Sequence, residues 1–245
     1  MSPTVPAPLP YDEGLRQKIA AHLAGHDRRV ADTEGRRRAA VAVVLVDSEV
    51  GESRIDPAPG SDLDLSADAL HDLDGRMQDV SGGAAFLLSR RSGRLRAHSG
   101  QWALPGGRID DGEDAVAAAI RETDEELGVR LSPDDVIGLM DDYPTRSGYV
   151  ITPVVLWGGG RLDLHPSPDE VLAAYRVGLH QLLRSDSPRF LEIPESDRPV
   201  VQIPLGDTDR VHAPTGAVLL QLRRLGLEGD PTRVDDLEQP TFAWR

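Results

Sequence analysis

Glu122, Glu125 and Glu126 crowd into the stretch "IRETDEELGV" (120–129), with Asp124 between them. On a helix, residues three and four apart are neighbours, so Glu122 sits beside both Glu125 and Glu126. Each like-charged pair at that spacing costs about 0.2–0.5 kcal/mol. Two readings fit such a cluster. It is a solvated face whose repulsion water and salt screen, or it is the ligand set of a hard divalent cation, magnesium or manganese, which favours carboxylate oxygen. The neighbouring residues have to decide.

The elements that must carry these groups can be read from periodicity. "EDAVAAAIRETDEEL" (113–127) is alanine-rich and favours helix, with Gly128 as its stop. Val116, Ile120 and Leu127 are its expected apolar face, and the glutamates are expected to fall away from that face. "AAVAVVLV" (39–46) and "AAFLLS" (84–89) read as buried strands. Between them an acidic segment rich in Gly, Pro and Ser, at about 47–82, reads as an exposed insertion with a short helix in "SADALHDLDGRM". Its aspartates lack the spacing and closing glutamate of a calcium loop.

Ahead of the first strand, Leu15, Ile19 and Leu23 recur every fourth residue as a short amphipathic helix. Further on, "VIGLMDDYPT" and "GYVITPVVLW" read as a strand pair around "TRSG", "EVLAAYRV" (170–177) as a strand and "GLHQLLR" as a helical turn. "APTGAVLLQLRRLGL" (213–227) is a later helix with Val218, Leu219, Leu222 and Leu225 as its stripe. Interleaved strands and helices without a repeat predict an α/β fold with a mixed sheet between helices. The expected organisation is a lead and helix over 1–38, then one domain over 39–245 that contains the insertion.

Bulk properties narrow the function. The chain has 245 residues, a net charge of −14 and no cysteine. The acid excess argues against nucleic acid or an anionic membrane as partner. The lack of cysteine rules out disulfides, thiolate metal sites and thiol nucleophiles. "MSPTVPAPLP" has neither the basic nor the apolar region of a secretory signal, and no apolar run reaches the length of a membrane span, so a cytoplasmic location is expected.

Read together, "GRIDDGEDAVAAAIRETDEELGV" (107–129) fits G-x5-E-x7-R-E-U-x-E-E-x-G-U, where U is apolar. Gly107, Glu113, Arg121, Glu122, Glu125, Glu126, Gly128 and Val129 all match, and Thr123 is the one departure. With residues at about 7% usage each, roughly one chain in a million of this length would match by chance. The chain resembles the Nudix hydrolases. That resemblance implies an α/β/α sandwich with a mixed sheet. It also implies Mg2+ or Mn2+ held by Glu122, Glu125, Glu126 and the Gly107 loop, with Glu125 also in a catalytic role. Glu113 and Arg121 would be a structural pair bracing loop against helix, and water would attack a phosphorus of a nucleoside diphosphate linked to some group X.

Upstream, "LLSRRSGRLRAHSGQWALPGG" (87–107) resembles the motif of the coenzyme A pyrophosphatases within that family. Leu87, Leu88, Arg91, Ser92, Arg96, Gly100, Pro105, Gly106 and Gly107 align, with Ser89 for threonine and Leu104 for an aromatic residue. Arg90, Arg91, Arg94 and Arg96 would suit a ligand with three phosphates. His98 and Trp102 lie inside the motif, in packing or in contact. The resemblance thus implies a small nucleotide substrate of the coenzyme A type, and it leaves a homodimer open. ADP-ribose, NADH or a modified nucleotide is the alternative substrate, and a non-catalytic ligand sensor the alternative class. A further carboxylate outside the box is expected as general base. Glu170 is the first candidate, Glu192 and Glu195 are the rivals, and Asp141 and Asp142 the outsiders.

Overall fold

The computed structural model describes residues 3–52, 77, 79–92 and 101–244. The expected helix of "SADALHDLDGRM" and most of the insertion lie outside these residues. Among them, a mixed sheet is built from β1 (Arg37–Ser48), β2 (Gly83–Arg91), β3 (Trp102–Ala103), β4 (Gly106–Arg108), β5 (Val136–Leu139), β6 (Tyr143–Pro144), β7 (Tyr149–Trp157) and β8 (Val171–Gly178). β1 and β7 run parallel, with Arg37 opposite Tyr149 and Leu45 opposite Trp157. The other pairings are antiparallel, including β5 and β6 with β7 and β8 with β2.

Alternation along one strand fills two separate cores. Val43 and Leu45 of β1, with Phe86 and Leu88 of β2, face one side, while Ala42, Val44 and Val46, with Ala85 and Leu87, face the other. Both sets are buried because successive side chains of a strand point to opposite faces. Helix α1 (Glu13–Ala24) and helix α3 (Thr215–Gln221) cover the first face, and α2 (Ala115–Leu127) covers the second. This is the expected α/β/α sandwich with a mixed sheet.

Local chemistry explains the ends of these helices. Asp12 caps α1 by accepting from Leu15 N at 2.8 Å, and Ile19 and Leu23 carry its buried face. α3 continues through a π-helical stretch, Leu222–Glu228, where the carbonyl of Gly226 accepts from His22 Nδ1 at 2.9 Å. A second, three-stranded sheet contains β9 (Arg189–Ile193), β10 (Ser196–Leu205) and β11 (Asp209–His212).

Two expectations need correction. The insertion does not begin at 47, since Asp47 and Ser48 complete β1, and it is not exposed at its far end. Met77 and Val80 are fully buried in the first core, and Arg176 of β8 pairs with Glu52 at 2.9 Å. Acidic composition hid these two apolar anchors. The buried stripe of α2 also differs from the expected one. Ala115, Ala118, Ala119, Thr123, Glu126 and Leu127 are buried, whereas Val116 and Ile120 are only partly so. Small alanines bring the helix close to the sheet and carry Glu126 inward with them.

The chain beyond β11 returns across the sheet. Glu238 bridges to Val200 of β10 and takes Arg146, on the β6–β7 turn, at 2.5 Å and Ser196 Oγ at 2.8 Å. Tyr143 donates to Leu237 O at 3.0 Å, and the Trp244 indole donates to Gln239 O at 2.8 Å. Burial alone would raise the Glu238 carboxyl. Donation from Arg146, Gln239 N and Ser196 outweighs it and holds the group at about 2, below its ordinary 4.5. A carboxyl depressed by folding contributes stability above its ordinary value and loses that contribution as pH falls through the folded one. Glu238→Gln should therefore be less stable than wild type at neutral pH in urea unfolding. The gap should narrow as pH falls from 4.5 to about 2; a gap independent of pH would show that the carboxylate charge is not what fastens this tail.

Candidate metal centre and active site

α2 begins where Asp114 accepts from Ala117 N at 2.8 Å and ends at Gly128, whose φ of 67° is the left-handed turn glycine adopts freely. Between these ends, Arg121 organises the loop. Its Nε and Nη2 donate to the two oxygens of Glu113 at 3.0 and 3.1 Å, and Nη2 also reaches Arg108 O at 3.0 Å. The brace expected between Glu113 and Arg121 is thus a bidentate ion pair tied to the strand that carries Gly107. The Arg121 guanidinium holds Glu113 below the ordinary carboxylate range, and Glu113 in turn strengthens Arg121's hold on its proton.

The same arginine reaches the glutamate cluster, donating through Nη1 to Glu122 at 2.9 Å and to Glu125 at 3.0 Å. Glu122 is pushed up by burial, against donation from Arg121. Glu126 is the extreme case, 3% exposed and pushed up to about 8 by burial, with Arg91 the opposing positive charge and Glu122 and Glu170 adding repulsion. Thr123, the one departure from the motif, is fully buried. Its hydroxyl donates to Ala119 O at 2.7 Å, which satisfies the polar group within the helix.

Gly106 and Gly107 have different reasons to be glycine. A Cβ on Gly106 would lie 2.4 Å from Ala40 O, so the constraint is backbone against backbone in the sheet. A Cβ on Gly107 would lie 2.2 Å from Glu122 Oε1, so the carboxylate occupies the space a side chain would take.

Glu170 reaches the cluster from another element. The segment before β8 satisfies the open carbonyls at the end of α2, with His165 N donating to Leu127 O at 2.7 Å and Ser167 N to Glu126 O at 2.8 Å. Glu170 O accepts from Ser92 N at 2.8 Å, which fixes the start of β8 beside β2. The Glu170 side chain stays exposed while its charge acts on both Glu122 and Glu126. The other candidates are not brought there. Glu192 and Glu195 are exposed on the β9–β10 hairpin of the second sheet. Asp141 accepts from His26, Arg29 N and Arg233, and Asp142 from Arg28, Ala31 N and Thr152, so both are structural.

The arginines divide. Arg91 is the cation that acts on Glu126, whereas Arg90 lies over the Trp102 ring at 4.4 Å and 3.9 Å from Asp209. Trp102 and Leu104 are packing residues, both buried in the first core. Arg94, Arg96 and His98 lie outside the described residues. Sequence reasoning missed the capping role of His165 and Ser167, which carry no motif, and the whole of the C-terminal tail.

The donor set suits a hard divalent ion. Glu122, Glu125, Glu126 and Glu170 gather around two arginines, and the most buried carboxylate is the one lifted furthest from its ordinary value. Among the described residues no three acidic or histidine side chains are arranged to hold an ion, and Arg121 Nη1 donates to both Glu122 and Glu125. Gly107→Ala should displace the Glu122 carboxylate and lower Mn2+ affinity by about 10- to 100-fold, with little change in melting temperature. Gly106→Ala should instead cost stability. Equal Mn2+ binding by wild type and Gly107→Ala would remove Glu122 from the ligand set.

Comparison with known proteins agrees with this geometry. Residues 75–196 match the NUDIX domain family. The chain is 44% identical over 99 residues to "Uncharacterized Nudix hydrolase NudL" of Escherichia fergusonii, across 40% of this chain and 52% of that protein. It is 43% identical over 99 residues to the protein of the same name from Escherichia coli K12, with the same coverage. The matched region thus spans about half the length of these relatives. Among solved structures, a MutT/nudix family protein from Enterococcus faecalis is 16% identical over 85% of this chain and 70% of that one, at a TM-score of 0.49. With the glycine loop, the Glu113–Arg121 brace and every box carboxylate inside the matched span, residues 75–196 belong to the Nudix domain family.

Proposed function

We propose that this chain is a metal-dependent diphosphatase that hydrolyses coenzyme A or an acyl derivative to 3′,5′-ADP and a 4′-phosphopantetheine. The observation that carries the reading is Glu126, a buried carboxylate among carboxylates whose opposing charge, Arg91, comes from the coenzyme A-like motif. The names of the relatives, Nudix hydrolases, point to the same reaction class.

In this reading Glu122, Glu125, Glu126 and the Gly107 loop hold Mg2+ or Mn2+. A bound ion supplies neutralisation of the phosphate oxygens and a water of lowered pKa. The chain's own residues do the positioning. Arg121 fixes loop against helix and keeps two carboxylates in place through one guanidinium. Arg91 links the carboxylate cluster to the substrate's phosphates, with Arg94 and Arg96 as further phosphate contacts. Glu170 accepts the proton of the attacking water. Its support is position: an exposed carboxylate whose charge acts on Glu122 and Glu126, while its backbone bonds Ser92 beside β2 and Ser167, which is itself bonded to the end of α2.

A substrate panel with released-phosphate detection, run with and without magnesium, tests the reading. Coenzyme A should be turned over in preference to ADP-ribose and NADH, and only with the metal. Turnover of ADP-ribose or NADH alone would move the substrate assignment, and no turnover of any of them would favour a ligand sensor.

Glu170→Gln should lower kcat by about a hundredfold, the scale of one positioned acid–base group, with KM little changed. The alkaline rise of the pH–rate profile should flatten with it. Normal kcat in this variant beside a crippled Glu192→Gln or Glu195→Gln would transfer the role to the β9–β10 hairpin.

A further inference from the structure

The cavity of about 290 Å3 beside the glycine loop, which Arg91 and Gln239 help to line, belongs with the site already described. A second group of like charges lies elsewhere, on the three-stranded sheet. Strand register places it. Arg189 of β9 stands directly opposite Gln202 of β10, and Gln202 stands opposite His212 of β11. Directly opposed residues of antiparallel strands share a face, as do residues two apart along one strand. Arg189, Gln202, His212 and Arg210 therefore share one face, whereas Ile203, Leu205 and Val211 point the other way into the first core.

The charges around this face do not balance. Asp186 accepts from Arg184 Nε at 2.9 Å and from Arg189 Nη2 at 2.7 Å. Arg184 is committed, being 5% exposed and donating also to Gly206 O at 2.8 Å. Arg210 has no carboxylate within ion-pairing distance among the described residues, and its hydrogen bond there runs from Nη1 to Asp209 O at 2.7 Å. Burial, then the charge of Arg189, loosens Arg210's hold on its proton; Arg184 adds to them, and Asp186 and Asp209 oppose. His212 is pushed below its ordinary value by burial and by Arg210.

A chain of net charge −14 thus gathers three arginines around one carboxylate. Among the described residues, Arg189 keeps Nε and Nη1 unengaged, and Arg210 keeps Nε and Nη2. Two open guanidinium edges ask for an acceptor with oxygens in several directions. A carboxylate presents two oxygens in one plane and fills one fork, whereas a phosphate group can accept from two forks at once.

We propose that Arg189 and Arg210 hold the phosphate group of a small ligand, at a site separate from the carboxylate cluster of α2. Their neighbours on the face, Gln202 and His212, are fastened to one another, Nε2 to Nε2 at 2.7 Å. Gln202, His212 and Arg210 lie beyond the span matched by the family, and the site does not depend on the diphosphatase reading.

His212 supplies the reporter. Comparison with His212→Gln assigns its ring proton resonance in NMR spectra of the full chain. Inorganic phosphate, titrated with EDTA present at fixed pH and ionic strength, should move that resonance saturably, with a Kd of about 1 mM or tighter. A parallel titration with 5′-AMP separates the two sources of the group. A phosphomonoester site takes the nucleotide at least as well as phosphate, and a free-phosphate site excludes it. Arg189→Ala and Arg210→Ala should each weaken phosphate binding about tenfold, the scale of one charge-assisted contact. Arg210→Lys, which keeps the charge without the fork, should fall between. Arg91→Ala should leave Kd within about twofold, since distant sites act independently.

No saturable movement of the His212 resonance below about 10 mM phosphate would overturn the proposal. So would the same movement with sodium chloride alone, or unchanged affinity in both alanine variants. Binding lost in Arg91→Ala and kept in Arg210→Ala would place the anion at the carboxylate cluster instead. If Arg210→Ala does not fold, Arg189→Ala, at an exposed position, and Arg210→Lys decide.

Discussion

The burial of Glu126 is the constraint on which the site depends. A helix rich in alanine packs close to the sheet, and closeness carries a carboxylate into the second core beside Glu122 and within reach of the charge of Glu170. Isolated, such a group would be strongly destabilised in its charged form. The surrounding structure is organised as a set of partial answers. Arg121 satisfies Glu113, Glu122 and Glu125 from one side, and Arg91 opposes Glu126 from the other. The arrangement is electrostatically incomplete where a cation would bind, and the stability that packing provides elsewhere supports it.

The two faces of the sheet divide the labour. α2 and its carboxylates occupy one face, and the cavity walled by Gln239 lies on the other, with Gly106, Gly107 and Arg91 at the boundary. The C-terminal tail gives the second face its shape through the Glu238 ion pairs and the Tyr143–Leu237 hydrogen bond. The family match, residues 75–196, covers α2, its carboxylates and much of the cavity lining, and stops short of the C-terminal tail.

Much of this was legible in the sequence because it is local. The box residues lie within one helix and the loop before it, so the motif could be recognised from spacing, the resemblance then implied the Glu113–Arg121 pair, and Gly128 read as the helix stop. The buried strands and a mixed sheet between helices followed from local composition and periodicity, and the α/β/α sandwich was implied by the family resemblance. What could not be read was non-local. Glu126 falls on the buried side because Ala115, Ala118 and Ala119, not Val116 and Ile120, meet the sheet, and small residues carry little hydrophobic signal. Met77 and Val80 are apolar anchors within an acidic stretch. The pairings of Asp141 with His26 and Arg233 join residues that only the fold brings together.

The parallel pairing of β1 with β7 bears on how the molecule is made. β1 lies at the middle of the sheet and lends side chains to both cores, yet its parallel partner begins roughly 110 residues later in the chain. During synthesis β1 and β2 emerge early, and their apolar faces must wait for β7, α2 and the last helix before either core closes. Contacts of such long sequence separation slow folding and leave strand edges open meanwhile. A ribosome-bound nascent chain that ends before residue 149 would therefore be a natural client for chaperones, with folding concentrated late in translation.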